Sequence, residues 1–262
     1  MAVSPDRSSE INGSTYHSPR VIGEYLLDAL TRMETAALLK YQPYFAGRDV
    51  LDIGVGAGRT SIYLAPLARR YEGIDFSPTL VNYLQKVMPT ISTRLLDMRN
   101  MDCFPAESFD FVFASNNVLD DVGHAARLET ISEVRRVLRP GGIFIFQAHN
   151  RAYKEAGELP RLVFVRNPIT QLRIIVRWIR QLINHMKIGK FRETNRDFAI
   201  LNDIGHEFSC LHYYIAPEIQ RRQLLDNHFE VMEIIDKFGG QVKENENERE
   251  SPALIYVGKR MG

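Results

Sequence analysis

Between Asp49 and Ser61 the chain reads DVLDIGVGAGRTS, and this stretch limits the fold more than any other. A short apolar run fits a buried strand. Glycines at 54, 56 and 58 fit a tight turn, and RTSIYLAPLA continues as a helix. The next segments repeat the theme. RYEGID reads as a strand, and SPTLVNYLQKVM as a helix with Ser77 as N-cap and Pro78 at its first position. STRLLD and FDFVFAS are strands, ARLETISEVRRVLRPGG is a helix, and GIFIFQAHN is a strand. Such alternation predicts an α/β fold, doubly wound, with a mostly parallel sheet covered on both faces.

The flanking regions set the domain scheme. Residues 1–18 are polar and small, and read as a flexible tail with no apolar core for a signal peptide. From Pro19 to Lys40, Val21, Ile22, Tyr25, Leu26 and Leu30 recur at helical spacing, which predicts an N-terminal helical arm joined to a core over 19–150. After Asn150 the rhythm breaks, and residues 151–200 form a basic insertion. Within it PITQLRIIVRWIRQLINHMKIGKF reads as one amphipathic helix, with Arg173, Arg177, Arg180, Asn184 and Lys187 on a single stripe and Trp178 among the apolar residues opposite. Residues 201–262 return to the sheet through the helix EIQRRQLLDNHF and the strands EVMEIIDKFG and ALIYVGKR.

Composition removes several function classes. A net charge of +1 over 262 residues gives no field for nucleic acid, and none is expected as a partner. Cys103 and Cys210 are too few for a disulfide framework or a zinc site, so no metal ligand is assigned and a cytoplasmic setting is expected.

The ligand of the glycine turn follows from charge. A dinucleotide site would carry a third glycine where Arg59 stands, and a diphosphate over the turn would be repelled by Asp52. S-adenosylmethionine has a sulfonium and an ammonium and no phosphate, so Asp52 suits it. Asp75 closes the second strand at the spacing of a ribose-binding carboxylate, with Phe76 placed to lie on an adenine face. Asp97 follows the third strand, where it can accept from the adenine amino group, with Met98 beside it. Asn116 and Asn117 end the fourth strand, facing the transferable methyl.

DVLDIGVGAGRTS, YEGIDFS, LLDM, SFDFVFASNN and RVLRPGGIFIF, in that order, resemble the motif series of class I S-adenosylmethionine-dependent methyltransferases. The resemblance covers about Val50 to Phe146 and implies a seven-stranded sheet. It also implies that Asp52, Gly54 and Gly56 of the Gly54-Gly56-Gly58 turn contact the methionine part, that Asp75 binds the ribose, and that Asp97 and Met98 bind the adenine. An aromatic residue of the N-terminal helices closes over the cofactor in related members, and Tyr16 is the candidate here.

Methyl transfer from a sulfonium is an in-line displacement, so orientation carries much of the rate and a base serves only a protonated nucleophile. His149 at the end of the fifth strand, and His206 and Tyr213 in NDIGHEFSCLHYYI, are the candidates for acid–base work. The chain lacks the N/D-P-P-Y/F motif, a Pro-Cys dipeptide and an acidic–histidine cluster of the catechol type. By elimination the acceptor is a small molecule, methylated on oxygen or nitrogen, by a monomer or homodimer. Three readings of the basic cap stay open: a lid with its apolar face on the domain, a set of guanidinium groups for an anionic or lipid-like acceptor, or an element lying on an anionic membrane. Two other functions also stand. An aminopropyl transferase of the same fold would need acids gripping a polyamine, and a non-catalytic regulator would bind cofactor without turnover.

Overall fold

The computed structural model describes residues 6–16, 23, 29–242 and 248–262. Its central sheet runs β3 (Ser92–Leu95), β2 (Arg70–Asp75), β1 (Asp49–Ile53), β4 (Phe109–Ala114) and β5 (Leu138–Asn150), all parallel. Beyond β5 lie β10 (Ala253–Arg260) and β9 (Phe229–Ile235), paired antiparallel. These seven strands are the expected α/β core. Three more lie outside that expectation: β6 (Glu193–Thr194), β7 (Phe198–Leu201) and β8 (His212–Ile215) form an annex. It joins the sheet where β8 runs parallel to the last two residues of β5, pairing Tyr214 with His149 and Ile215 with Asn150. The core sits on both faces, as strand alternation requires. Phe111 and Phe113 of β4 pack with the helix α2 (Arg32–Phe45), while Val112 packs with Ile131 and Val134 of α5 (His124–Val137).

The segment read as a flexible tail is instead the helix α1 (Arg7–Tyr16). Its buried residues Ser8, Asn12 and Tyr16 recur every four positions, so its packed stripe is polar apart from one ring. Hydrogen bonds replace an apolar face. The Asn12 side chain donates to the carbonyls of Asp121 (2.8 Å) and Leu211 (2.7 Å) and accepts from the Leu211 N–H (2.8 Å). Val21, Ile22, Tyr25 and Leu26 of the expected helical arm lie outside the described residues; Leu30 packs on the α2 side of the core.

The crossover from β1 needs its glycines. Gly54, Gly56 and Gly58 have φ of +70°, +54° and +90°, a region costly for residues with a Cβ. A Cβ on Gly54 would also lie 2.4 Å from Val118 Cγ2, and one on Gly58 2.5 Å from Leu84 Cδ1. Arg59, in place of a third dinucleotide glycine, holds Glu34 through two bonds of 2.6 and 2.8 Å and ties the turn to α2. Glu34 also completes the capping box with Thr31. Burial alone would raise its pKa, but the arginine outweighs burial and holds it below the usual value.

Asp52 departs from the expectation. Its side chain is buried beneath the crossover, with Oδ2 taking hydrogen bonds from Thr60 (2.8 Å), Tyr71 (2.8 Å) and Ser61 (3.4 Å). Oδ1 is buried and has no hydrogen-bond partner among the described residues. Burial pushes its pKa up to about 6 despite those donors. A carboxyl whose folded pKa is raised contributes stability below its unfolded pKa and loses it as pH climbs through the folded value. The unliganded protein should therefore lose about 3 kcal/mol from this group between pH 4 and 7, and Asp52→Asn should flatten that fall in urea unfolding. A slope unchanged by the substitution would contradict the buried environment of the carboxyl.

Candidate active site

Two cavities open at the carboxyl ends of the parallel strands, where open α/β sheets present ligand sites. The smaller, of about 270 Å³, is lined by Gly54 from the crossover, Asp75 and Phe76 after β2, Asp97 and Met98 after β3, and Tyr16 of α1. Apolar walls come from Ile53, Ile74, Leu96, Val118 and Val122. Asp75 is fixed by backbone donors: its oxygens accept from the N–H of Gly56 (2.8 Å) and of Ser77 (2.8 Å). One carboxylate thus pins the glycine turn and the start of the helix α4 (Pro78–Val87), whose N-cap is Ser77. Asp97 is gripped by Arg99, with Nε 2.9 Å from Oδ1 and Nη2 2.5 Å from Oδ2. Partial burial works against ionisation there, but the guanidinium prevails and lowers the pKa. Among the described residues three carboxylates therefore face this cavity, counting Asp121, and the one arginine, Arg99, is engaged with Asp97.

The larger cavity, of about 620 Å³, lies across Tyr16 and Asp121, which line both. The Tyr16 hydroxyl donates to Asp121 Oδ1 at 2.7 Å, and its ring meets Phe76 and His206 edge-on at 6.1 and 5.3 Å. His149, from the end of β5, is the most defined group in this cavity. Its ring Nδ1 is 2.8 Å from Asp120 Oδ2, which also accepts the His149 backbone N–H at 2.6 Å. Asp120 is wholly buried, and its other oxygen pairs with the equally buried Arg127. Arg127 in turn donates to Gln220 of α7 (Pro217–Asp226) at 2.8 Å and covers the Tyr213 ring at 4.7 Å. This chain of contacts fixes the imidazole orientation and leaves Nε2 as the ring nitrogen not spent on Asp120.

His212 and Asp203 complete the wall. His212 Nδ1 is 3.0 Å from Asp203 Oδ2, and its Nε2 is 3.7 Å from Asp121 Oδ1. Burial alone would neutralise His212, yet Asp203 raises its pKa well above the ordinary value. The Tyr214 hydroxyl also donates to Asp203, and burial followed by that carboxylate raises the phenol. Asp121 is pushed up to about 6 by burial, which His212 and Tyr16 only partly offset.

His149, Asp203 and His212 place one ligand atom each within 4.8 Å, a cluster of donors that the sequence alone does not reveal. A metal needs imidazole lone pairs that converge in the ring planes at about 2 Å. The two imidazoles are instead stacked, 4.9 Å between centroids and 17° between planes, and such planes do not meet within bonding reach of both. Asp203 is spent on His212 and Tyr214, while the Nδ1 of His149 is spent on Asp120.

Several expected site residues fall elsewhere. Asp52 and Gly58 lie beneath the crossover, and Gly56 acts through its N–H on Asp75. Asn116 and Asn117 line the larger cavity, with left-handed φ of +53° and +58°. His206 lines it too, in a turn where His206, Glu207 and Phe208 have φ of +46°, +55° and +65°. Each such residue costs roughly 1–2 kcal/mol, and bonds from Asn202 to the Phe208 carbonyl and from Ser209 to the His206 carbonyl help to hold the turn. Tyr213 lines neither cavity. Alternation along β8 sends His212 and Tyr214 to the cavity and Tyr213 to the opposite face, stacked on Phe198 with its hydroxyl 2.8 Å from His124 Nδ1. Burial pushes that phenol up to about 12.

A family model described as a methyltransferase domain matches residues 50–142. A probable S-adenosylmethionine-dependent methyltransferase of Mycolicibacterium smegmatis is 34% identical over 106 residues, 40% of each chain. A demethylmenaquinone methyltransferase of Tropheryma whipplei is 29% identical over 131 residues, 48% of this chain and 51% of that one. Residues 50–142 are thus those of a methyltransferase domain, and the matches support a class I S-adenosylmethionine-dependent methyltransferase.

Its span is about half, or less, of the length of those curated relatives. A methyltransferase from Clostridium acetobutylicum shares the fold with a TM-score of 0.62 at 12% identity, covering 97% of this chain and 98% of that one. So does the 1,6-didemethyltoxoflavin-N1-methyltransferase of Burkholderia thailandensis, with bound 1,6-didemethyltoxoflavin and S-adenosylhomocysteine, at a TM-score of 0.59 and 14% identity over 97% and 87%. The smaller cavity suits the family's cofactor, since it offers carboxylates and apolar walls and no spare cation for a phosphate.

Breaking a buried ion pair from one side leaves the other charge uncompensated. Arg127→Met in this methyltransferase should therefore cost about 3–5 kcal/mol in urea unfolding, with a smaller loss in Asp120→Leu/Arg127→Met, where both charges are gone. Equal losses in the two variants would show that the pair is not what holds this corner.

Proposed function

We propose that the chain transfers a methyl group from S-adenosylmethionine to an oxygen or nitrogen of a small acceptor held in the larger cavity, releasing S-adenosylhomocysteine. The observation that carries this reading is the shared wall. A carboxylate-lined slot and an oriented histidine lie on either side of Tyr16 and Asp121. When bound, the cofactor supplies a methyl group already activated on a sulfonium. Asp75 would take the ribose hydroxyls with its remaining lone pairs, Phe76 the adenine face, and Asp97 with Met98 the adenine edge. Gly54 lets the backbone come close where a side chain would clash with Val118.

On the acceptor side His149 is the base. Asp120 holds the proton on Nδ1, so Nε2 is free to take a proton from an acceptor O–H or N–H as the new bond to carbon forms. Tyr16 and Asp121, which line both cavities, would fix the acceptor near the methyl group, where orientation alone supplies most of the rate. A volume of about 620 Å³ is ordinary for a small-molecule site, in keeping with the 1,6-didemethyltoxoflavin held by the structural neighbour. Among the described residues Asp121, Glu155, Glu158 and Asp203 line it against Arg161, which lies 3.4 Å from Glu158, and His212, which is spent on Asp203. This favours a neutral or amine-bearing acceptor over an anionic one.

Calorimetry with S-adenosylhomocysteine should give a Kd at least tenfold weaker for Asp75→Ala, and wild-type affinity there would contradict the assignment. With a labelled methyl donor and a metabolite extract, His149→Ala should bind cofactor normally and turn over roughly 10²–10⁴-fold more slowly. Turnover that survives in His149→Ala would remove the histidine from the mechanism.

A further inference from the structure

The helix α6 (Pro168–Ile188) keeps a whole aliphatic stripe off the domain, which the lid reading alone does not explain. Ile169, Leu172, Val176, Ile179, Ile183 and Met186 recur at alternating steps of three and four residues, and all point outward, 41–67% exposed. The preceding loop adds Val163 and Phe164, the latter 79% exposed. The side that packs on the protein carries the half-buried Ile174, Ile175, Trp178, Leu182, His185 and Ile188, with Gln181 as its one buried residue, so the helix has a second, outward apolar stripe. The cause lies in the strained turn of the acceptor cavity. Glu207 meets Arg180 Nη1 at 3.1 Å and Arg177 Nε at 3.6 Å, and its carbonyl accepts from Asn184 at 2.9 Å. Polar contacts thus dock one edge of the helix and leave the aliphatic stripe facing out.

A contiguous apolar stripe about 26 Å long, at 1.5 Å per residue, marks a contact surface. Charge decides which contact. From Leu159 to Arg192 there is no Asp or Glu, and there are eight arginines and lysines. Arg173 and Lys187 flank the stripe, as Arg166 does just before the helix. Pairing with a second copy would bring like charges together with no acids to oppose them, the reverse of what helix pairs use. An anionic bilayer meets both demands, taking aliphatic side chains at the acyl boundary while the basic heads reach lipid phosphates. No helix among the described residues is long and apolar enough to cross a membrane, so the contact would be a surface one.

We propose that α6 and the 159–166 loop dock the protein flat on an anionic lipid surface. Leu159, Arg161, Val163 and Gln181 also line the larger cavity, so the docked face borders its mouth. If that cavity takes the acceptor, as proposed above, the acceptor is delivered from the lipid side.

The test is sedimentation of the full chain with vesicles of phosphatidylglycerol and phosphatidylcholine, or of phosphatidylcholine alone, with S-adenosylhomocysteine binding measured on the same samples. The wild type should bind the anionic vesicles at least tenfold more tightly than the neutral ones, and less tightly as salt rises. Leu172→Gln/Val176→Gln/Ile179→Gln, which touches neither cavity, should lose that binding at least tenfold and keep its nucleoside affinity. Arg173→Gln/Lys187→Gln should weaken only the anionic arm. Absence of vesicle binding with intact nucleoside binding overturns the docking, as does a dimer in light scattering that the triple glutamine variant splits. Vesicle binding without nucleoside binding supports the docking and strikes the methyl-transfer reading alone.

Discussion

The larger cavity of this protein hangs on the carboxylate of Asp120. One oxygen pairs with Arg127 in full burial, and the other holds both the backbone and the ring of His149. Through Arg127 and Gln220 the same group joins α5, α7 and the end of β5. A buried pair of this kind adds little net stability over an apolar substitute, but it is costly to break from one side. Its return here is orientation. The rings of His212 and Tyr214 pack on His149, but Asp120 fixes which of its nitrogens faces the cavity.

Charge sign separates the two cavities' tasks from those of a dinucleotide fold. Spacing along the chain puts the decisive negative charge at Asp52, and the structure moves it. Asp52 is turned under the crossover and raised to about 6 by burial, while Asp75, Asp97 and Asp121 face the slot. The conclusion about the ligand survives because the same fold position carries several acids, and among the described residues Arg99 is engaged with Asp97. Asp75 is the most economical of them. By accepting the Gly56 and Ser77 N–H groups it shapes the turn that would surround the cofactor.

Helix α6 shows a local pattern overridden by a distant one. Its amphipathicity is legible in PITQLRIIVRWIRQLINHMKI, and its bounds in the structure agree closely with the sequence reading. Which stripe turns inward depends on Glu207, presented by three consecutive left-handed residues far along the chain. That turn also carries His206 beside Tyr16. The cap and the acceptor cavity are therefore one assembly, and the orientation of the helix follows from the geometry of the site.

Residue order is enough to specify the parallel core, the glycine crossover and the ordered carboxylates of the cofactor slot. These are local features: strand period, positive-φ turns and strand ends lie within a few residues of one another, so spacing alone encodes them. That Asp75, Phe76, Asp97 and Met98 meet at one cavity is legible for that reason, whereas Tyr16 joins them from a distant helix. Asp120, Asp121, Asp203 and His212 are not, because they meet only when the annex strand β8 pairs with the last residues of β5. Alternation along HYYI separates Tyr213 from its neighbours, but which face of that strand meets the cavity is fixed by a partner over sixty residues away. Long-range contacts also make a helix of a polar stretch such as RSSEINGSTY, since its hydrogen-bond partners, the backbone of Asp121 and Leu211, come from elsewhere in the chain.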